Sequence, residues 1–326
     1  MHAIRLHAFG PAANLRYEEI EDPRPGPGQA RIAVAASGVH LIDTTLRAGR
    51  PMGLLPLPEL PAIPGREVAG TVDAVGPEVD ERWVGRRVVA HLGQASGGYA
   101  ELAVRETEAL HTLPDGLADD AAVAMIGTGR TALAILEVAQ LTGEDVVLVT
   151  AAAGGLGSLL VQASRNAGAT VVGVAGGPAK VQRARQLGAT VAVDYSAPGW
   201  SDAVREALGG REVTVALDGV GGTLGRGALE LLGVGGRLIL FGWSSGEATE
   251  LSIGDLSSRG LTVSAAIGAR IAQRPGGLRD LEERALAAAA DGRLVPLVQR
   301  FALAQAAAAH TAIENRATVG KTVLVP

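Results

Sequence analysis

Cysteine is absent from the 326 residues. That excludes a disulfide scaffold, a cysteine-based zinc ribbon and a thiol nucleophile, and nothing in the chain calls for an oxidising compartment. Aromatic residues are scarce, three each of Phe, Tyr and Trp, so the core must be built from Ala, Val, Leu and Ile. No uninterrupted apolar run reaches the roughly 18 residues of a membrane span, and Arg5 interrupts what would be the apolar core of a leader peptide. A soluble, cytoplasmic protein with no membrane partner is expected. Lysine is nearly missing: Lys180 and Lys321 stand alone among 29 basic residues. With a formal net charge of −5 and no basic run, nucleic acid is not an expected partner.

What is present is an apolar, glycine-rich chain, 47% hydrophobic with 45 glycines, long enough for about two domains. Up to residue 120 it alternates short β-branched runs (30–36, 67–75, 86–91 and 99–104) with Gly/Pro punctuation, which predicts a β-barrel-like domain. Near Leu117 the character changes. Strands are expected at 145–150, 170–174, 191–193, 213–217 and 237–241, alternating with helices at 130–140, 156–167, 180–187, 203–208 and 223–232. Strands that are apolar throughout, such as Val146-Val147-Leu148-Val149, need cover on both faces, so this half is expected to be a parallel, doubly wound sheet. Helices at 281–290 and 304–315 and a strand at 322–325 are expected to pack back on the first domain.

The most informative segment runs from the strand at Val146 through Ala151-Ala152-Ala153-Gly154-Gly155-Leu156-Gly157 into a helix. In a dinucleotide-binding turn the second glycine lets the backbone approach the pyrophosphate, and the third lets helix and strand pack closely. Gly154 and Gly157 fill those places and Ala152 fills the first. The helix start then offers N–H groups and a positive dipole end to phosphate. About 20 residues further on, an NAD enzyme places an acid on the ribose 2′-hydroxyl. Here the chain reads Val174-Ala175-Gly176-Gly177-Pro178-Ala179-Lys180, and that acid is missing. Small residues leave room for a 2′-phosphate, with Lys180 and Arg183 within one helical turn to neutralise it. NADPH is therefore expected rather than NADH.

Six motifs in order resemble those of the medium-chain dehydrogenase/reductase family, in its zinc-free quinone oxidoreductase branch. They are Ser37-Gly38-Val39-His40-Leu41-Ile42-Asp43-Thr44, Ile63-Pro64-Gly65-Arg66-Glu67-Val68-Ala69-Gly70-Thr71-Val72, the glycine turn, Ala175-Gly176-Gly177-Pro178-Ala179-Lys180, Asp218-Gly219-Val220-Gly221-Gly222 and Asn315-Arg316-Ala317-Thr318-Val319-Gly320-Lys321. The resemblance implies an α/β protein with a GroES-like β-barrel catalytic domain (1–122 and 264–326) and a Rossmann cofactor domain (123–263), with the active site in the cleft between them. It also implies a homodimer and NADPH-dependent reduction of quinones by one or two electrons. Cofactor contacts carried over are Thr131, Ala153, Gly154, Gly155, Leu156, Gly157, Gly176, Lys180, Tyr195, Phe241, Gly242, Trp243 and Arg316. Zinc-dependent relatives have a cysteine at His40 and a histidine at Arg66, so no metal site is expected here.

Hydride transfer leaves an anion on the acceptor, and without a metal the protein must supply its donors. His40 is the first candidate, since imidazole donates a hydrogen bond or proton near neutral pH; Thr45 and Tyr99 are weaker ones. Asp43 is expected to fix the loop backbone, and Glu67 to pair with its neighbour Arg66. Familiar members carry asparagine at His40, tyrosine at Thr45 and a further aromatic where this chain has Gly49-Arg50-Pro51-Met52. Two rings of the quinone pocket are therefore missing. That leaves a 2-enoyl or enone (alkenal) reductase, or a non-catalytic NADPH-binding protein, as alternatives to a quinone reductase.

Overall fold

The computed structural model describes residues 1–51, 56–93 and 95–326; Met52, named above in the missing-ring segment, lies outside them. The chain divides into two units, Met1–Thr128 with Ala285–Ala290 and Pro296–Pro326, and Gly129–Arg284 with Asp291–Val295.

In the first unit the strand Gln29–Val39 is the organising element. Its burial alternates from residue to residue over its first half, as expected for a pleated strand with one face on a core. It pairs antiparallel with Glu67–Val75 on one side, and on the other with Leu102–Glu106 and Lys321–Val325. The sheet continues through Arg87–His91 to His111–Thr112 at one end and through Val298–Ala302 at the other. Ile32, Val34, Val68, Val72, Val88, Leu92 and Leu110 fill its core. The C-terminal strand thus lies against the N-terminal half, as expected of the tail. The hairpin of His2–Leu6 with Leu15–Glu19 and the helix Leu41–Arg47 were not foreseen.

In the second unit six strands pair in parallel: Val191–Asp194, Thr170–Ala175, Val146–Val149, Val213–Asp218, Leu232–Leu240 and Thr262–Ala265. Chain order runs outward from Val146–Val149 in one direction, then resumes on its other side at Val213–Asp218. This reversal makes a crevice beyond the carboxyl ends of those two strands, where open α/β sheets bind ligands. Leu148, Val172, Val174, Val213, Ala216 and Leu238 are buried in the core. The helical stretch Asp119–Ala139 is long and apolar enough to cross a membrane by composition, yet 61% of its most apolar window is buried within the protein, the pattern of a core helix.

Candidate active site

Three strand ends of the first unit bring ionisable groups together. Backbone pairing sets Thr322 opposite Val39, Ser37 opposite Val68 and Glu67 opposite His91. His40, just past the central strand, therefore meets Glu67 and Lys321, which open the two flanking strands. The imidazole Nε2 lies 2.7 Å from Glu67 Oε1 and 2.8 Å from Lys321 Nζ, and Lys321 Nζ lies 2.7 Å from Glu67 Oε2. Glu67 is fully buried and the Lys321 side chain is 5% exposed, while 23% of the His40 side chain remains accessible. Glycine makes the meeting possible. A β-carbon on Gly127 would stand 1.7 Å from Glu67 Oε1.

Burial acts to raise the Glu67 pKa, but His40, Lys321 and, beyond them, His91 hold it well below the ordinary carboxylate value. Burial also lowers the ammonium pKa of Lys321, against the pull of Glu67. The expected Glu67–Arg66 pair does not form. Arg66 instead lies 3.6 Å from Asp43, because adjacent residues entering a strand project to opposite faces.

Asp43 anchors a second layer. Its Oδ2 accepts from the backbone N–H of His40 at 2.8 Å and from the Tyr99 hydroxyl at 3.1 Å. The same hydroxyl lies 3.1 Å from His310 Nε2. Burial and the Asp43 charge push the Tyr99 phenol well above its ordinary value, so it keeps its proton. Asp43 thus fixes the loop at His40, and Tyr99 is fully buried, reaching His40 through Asp43. Thr45 is half-buried on the helix Leu41–Arg47 and stands outside the His40–Glu67–Lys321 group.

In the second unit the strand Val146–Val149 turns into the helix Gly155–Asn166. Ala151 adopts a left-handed φ of 47°, its carbonyl accepts from Gly154 N–H at 2.8 Å, and the helix start has no side-chain cap among the described residues. Its first N–H groups are thereby left for an anion. A β-carbon on Gly157 would stand 2.2 Å from the Ala151 carbonyl oxygen, so the third glycine is required by the turn itself. Gly154, Gly155 and Leu156 are half-buried, while Ala153 and Gly157 are buried beneath them.

The neighbouring strand ends add a second cluster. Gly176 follows the strand Thr170–Ala175, Tyr195 follows Val191–Asp194, and a β-carbon on Gly176 would touch the Tyr195 hydroxyl at 3.1 Å. Lys180 stands in the first turn of the helix Pro178–Gln186. Asp194 was not singled out in the sequence, yet its Oδ1 accepts from the N–H groups of Gly177 and Ser196, each at 2.9 Å, and so fixes this corner. Asp218, fully buried, accepts from Thr150 and Thr249 hydroxyls at 2.9 Å and ties the crevice strands together. Phe241 is buried against Gly219, whose β-carbon would stand 2.2 Å from its ring, and Gly242 packs on the Gly219 carbonyl. Trp243 is 50% exposed. Thr131 is half-buried on the helix Arg130–Ala139. Arg316 belongs to the first unit, exposed and in a left-handed conformation after the helix Ala306–Glu314.

These donors do not fit a divalent metal. Among the described residues no group of three or more His, Asp or Glu side chains could hold one. Between Glu67 and His40, moreover, the Lys321 ammonium already supplies the positive charge.

Residues 26–115 match the family described as alcohol dehydrogenase GroES-like domain, and residues 155–283 the family described as zinc-binding dehydrogenase. A quinone oxidoreductase of Pseudomonas aeruginosa is 36% identical over 99% of both chains. The chain belongs to the medium-chain dehydrogenase/reductase family, in its quinone oxidoreductase-like branch. This medium-chain reductase is also similar to a 2-haloacrylate reductase from a Burkholderia species, 34% identical over 99% of this chain and 98% of that one. The solved structure of Escherichia coli quinone oxidoreductase complexed with NADPH superposes with a TM-score of 0.87 at 28% identity, covering both chains completely. The GroES-like and Rossmann folds are thus both present, and the chain is an oxidoreductase.

Proposed function

We propose that the chain reduces a quinone with NADPH, without zinc. NADPH, when bound, supplies the hydride. What supports the cofactor choice is the corner at Gly176, bordered by Tyr195 and followed by Lys180 in the first turn of the next helix: the strand Thr170–Ala175 ends without an acid for a ribose hydroxyl, and Asp194 of the neighbouring strand is engaged by the N–H groups of Gly177 and Ser196. The half-buried Gly154, Gly155 and Leu156 are assigned to the pyrophosphate, with Ala153 and Gly157 holding the turn. Thr131, Phe241, Gly242 and Trp243 are assigned to the nicotinamide end, and Arg316 keeps the cofactor role that the resemblance implies.

His40 is assigned as the donor to the oxyanion left on the acceptor, Tyr99 as a positioning residue acting through Asp43, and Thr45 as a further polar contact. Enone reduction is the second reading, favoured by the likeness to a 2-haloacrylate reductase and by the two missing rings. Steady-state rates with NADPH over quinone and enone panels separate the two. Turnover of enones with inert quinones overturns the first.

A homodimer and a cytoplasmic location belong to the same proposal. The dimer is supported by the strand Thr262–Ala265, which ends its sheet with no further strand paired to it among the described residues and so presents an unpaired edge.

A further inference from the structure

One nitrogen of His40 faces two opposite demands. An imidazole nitrogen carries either a hydrogen or a lone pair. The Lys321 ammonium has hydrogens to give, and the Glu67 carboxylate has lone pairs to offer. Nε2 stands within hydrogen-bond distance of both, at 2.8 and 2.7 Å. These distances admit two proton arrangements; the contact with Lys321 already has hydrogen-bond geometry, and that with Glu67 Oε1 gains it by a small turn of the ring. In one, Lys321 donates to an unprotonated Nε2, so the ring hydrogen is on Nδ1. In the other, Nε2 carries the hydrogen and donates to Glu67, and Lys321 is a neutral amine.

We propose that these arrangements are the charged and discharged states of a proton relay, with Lys321 as the internal proton source of His40. The proposal rests on the reading above, in which His40 serves the acceptor. The N–H bond at Nδ1 breaks and an O–H bond forms on the acceptor's oxyanion, whose lone pair takes the proton. In the same passage an N–H bond of Lys321 breaks and one forms at Nε2. The ring is neutral before and after, having exchanged one tautomer for the other, and Glu67 stays ionised throughout. Lys321 is too buried to refill directly from solvent, so the return path is His40, whose side chain is 23% exposed. When product leaves, Nδ1 takes a proton from water and Nε2 returns one to Lys321.

The surroundings suit this traffic. Burial makes the Lys321 ammonium a readier donor than a solvated lysine. Other charged or titratable groups near the cluster are His91 on the strand Arg87–His91, Arg66, Asp43 and the Tyr99 phenol, which feels the Glu67 charge. Gly38 and Gly127 leave the cluster undivided: a β-carbon on Gly38 would stand 3.0 Å from Lys321 Cε, and one on Gly127 would collide with Glu67.

The test reads the tautomer directly, without cofactor or acceptor. Full-length protein carrying ¹⁵N-histidine is observed by long-range proton–nitrogen NMR at pH 7, with His40→Asn identifying the His40 signals. The expected wild-type state has hydrogen on Nδ1 and an unprotonated Nε2. In Lys321→Met the hydrogen moves to Nε2, facing Glu67. Should that variant not fold, Lys321→Met combined with Glu67→Gln removes both buried charges together, and the wild-type preference for Nδ1–H is lost. A wild-type ring that already carries hydrogen on Nε2, or a tautomer unchanged in the variants, overturns the proposal.

In turnover, Lys321→Met is expected to lower kcat by roughly 10²-fold, with KM for the acceptor little changed and a solvent isotope effect appearing on kcat. Unchanged kcat also overturns it. A wild-type chain inert towards every quinone and enone removes the functional reading instead, while the tautomer result stands by itself.

Discussion

Gly38 faces Glu67 so closely that a β-carbon on it would stand 2.2 Å from the Glu67 Oε2. The backbone of the central strand is therefore one wall of the buried ion pair. Gly38→Ala must displace Glu67 from Lys321 or bend the strand. It is expected to cost about 1–3 kcal/mol, the usual penalty of overpacking, measured by urea unfolding, and to lower turnover in the folded fraction. A variant as stable and active as wild type would show that the pair tolerates separation.

Lys180→Ala tests the phosphate corner. One charge-assisted contact is worth about 1.5–3 kcal/mol, so the Kd for NADPH is expected to rise roughly 10- to 100-fold. The Kd for NADH should stay nearly constant. Fluorescence titration of both cofactors decides it, and an equal loss for both removes the 2′-phosphate assignment.

Gly157→Ala tests the turn. Its new methyl group would press on the Ala151 carbonyl, a backbone atom held by the strand behind it. Loss of about 1–3 kcal/mol in stability and weakened binding of both cofactors alike are expected from thermal unfolding and titration. Equal weakening distinguishes this from the selective effect at Lys180.

His310 gives a pH dependence. Burial, aided by Arg47 and opposed by Asp43, lowers its pKa from the ordinary 6.5 to about 4. The unfolded chain therefore binds a proton between those values that the folded chain refuses, and stability falls as pH drops from 6.5 towards 4. The displacement corresponds to about 3 kcal/mol at most. Unfolding free energies at pH 7 and pH 4 should differ less in His310→Gln than in wild type. An identical difference would place the His310 proton elsewhere.

Prolonged dialysis against a strong chelator is expected to leave turnover unchanged, since the ammonium of Lys321 holds the place between Glu67 and His40. Activity lost to the chelator and restored by zinc would contradict that arrangement.

Much of the second unit is legible in the sequence because Val146–Val149 and its neighbours are apolar throughout and the helices between them carry a clear period. The short, partly polar strands His2–Leu6 and Leu15–Glu19 and the seven-residue helix Leu41–Arg47 give no such signal. The glycine turn and Lys180 could be read because their neighbours are local. The partners of Glu67 could not. Its adjacent arginine was the obvious local choice, whereas its actual cation comes from the far end of the chain, through a strand pairing that no local pattern encodes. Lys321 could be seen in the sequence only as a residue near Arg316.

The antiparallel place of Lys321–Val325 beside Gln29–Val39 has a consequence for biosynthesis. Every strand of the parallel sheet has left the ribosome before residue 321 is made, so that unit has its sequence complete early. The barrel half must wait, with Glu67 lacking its cation and the central strand lacking a neighbour, until residue 321 is made. A chain stopped at residue 320 would hold the whole glycine turn and lack the ammonium that sits on Glu67.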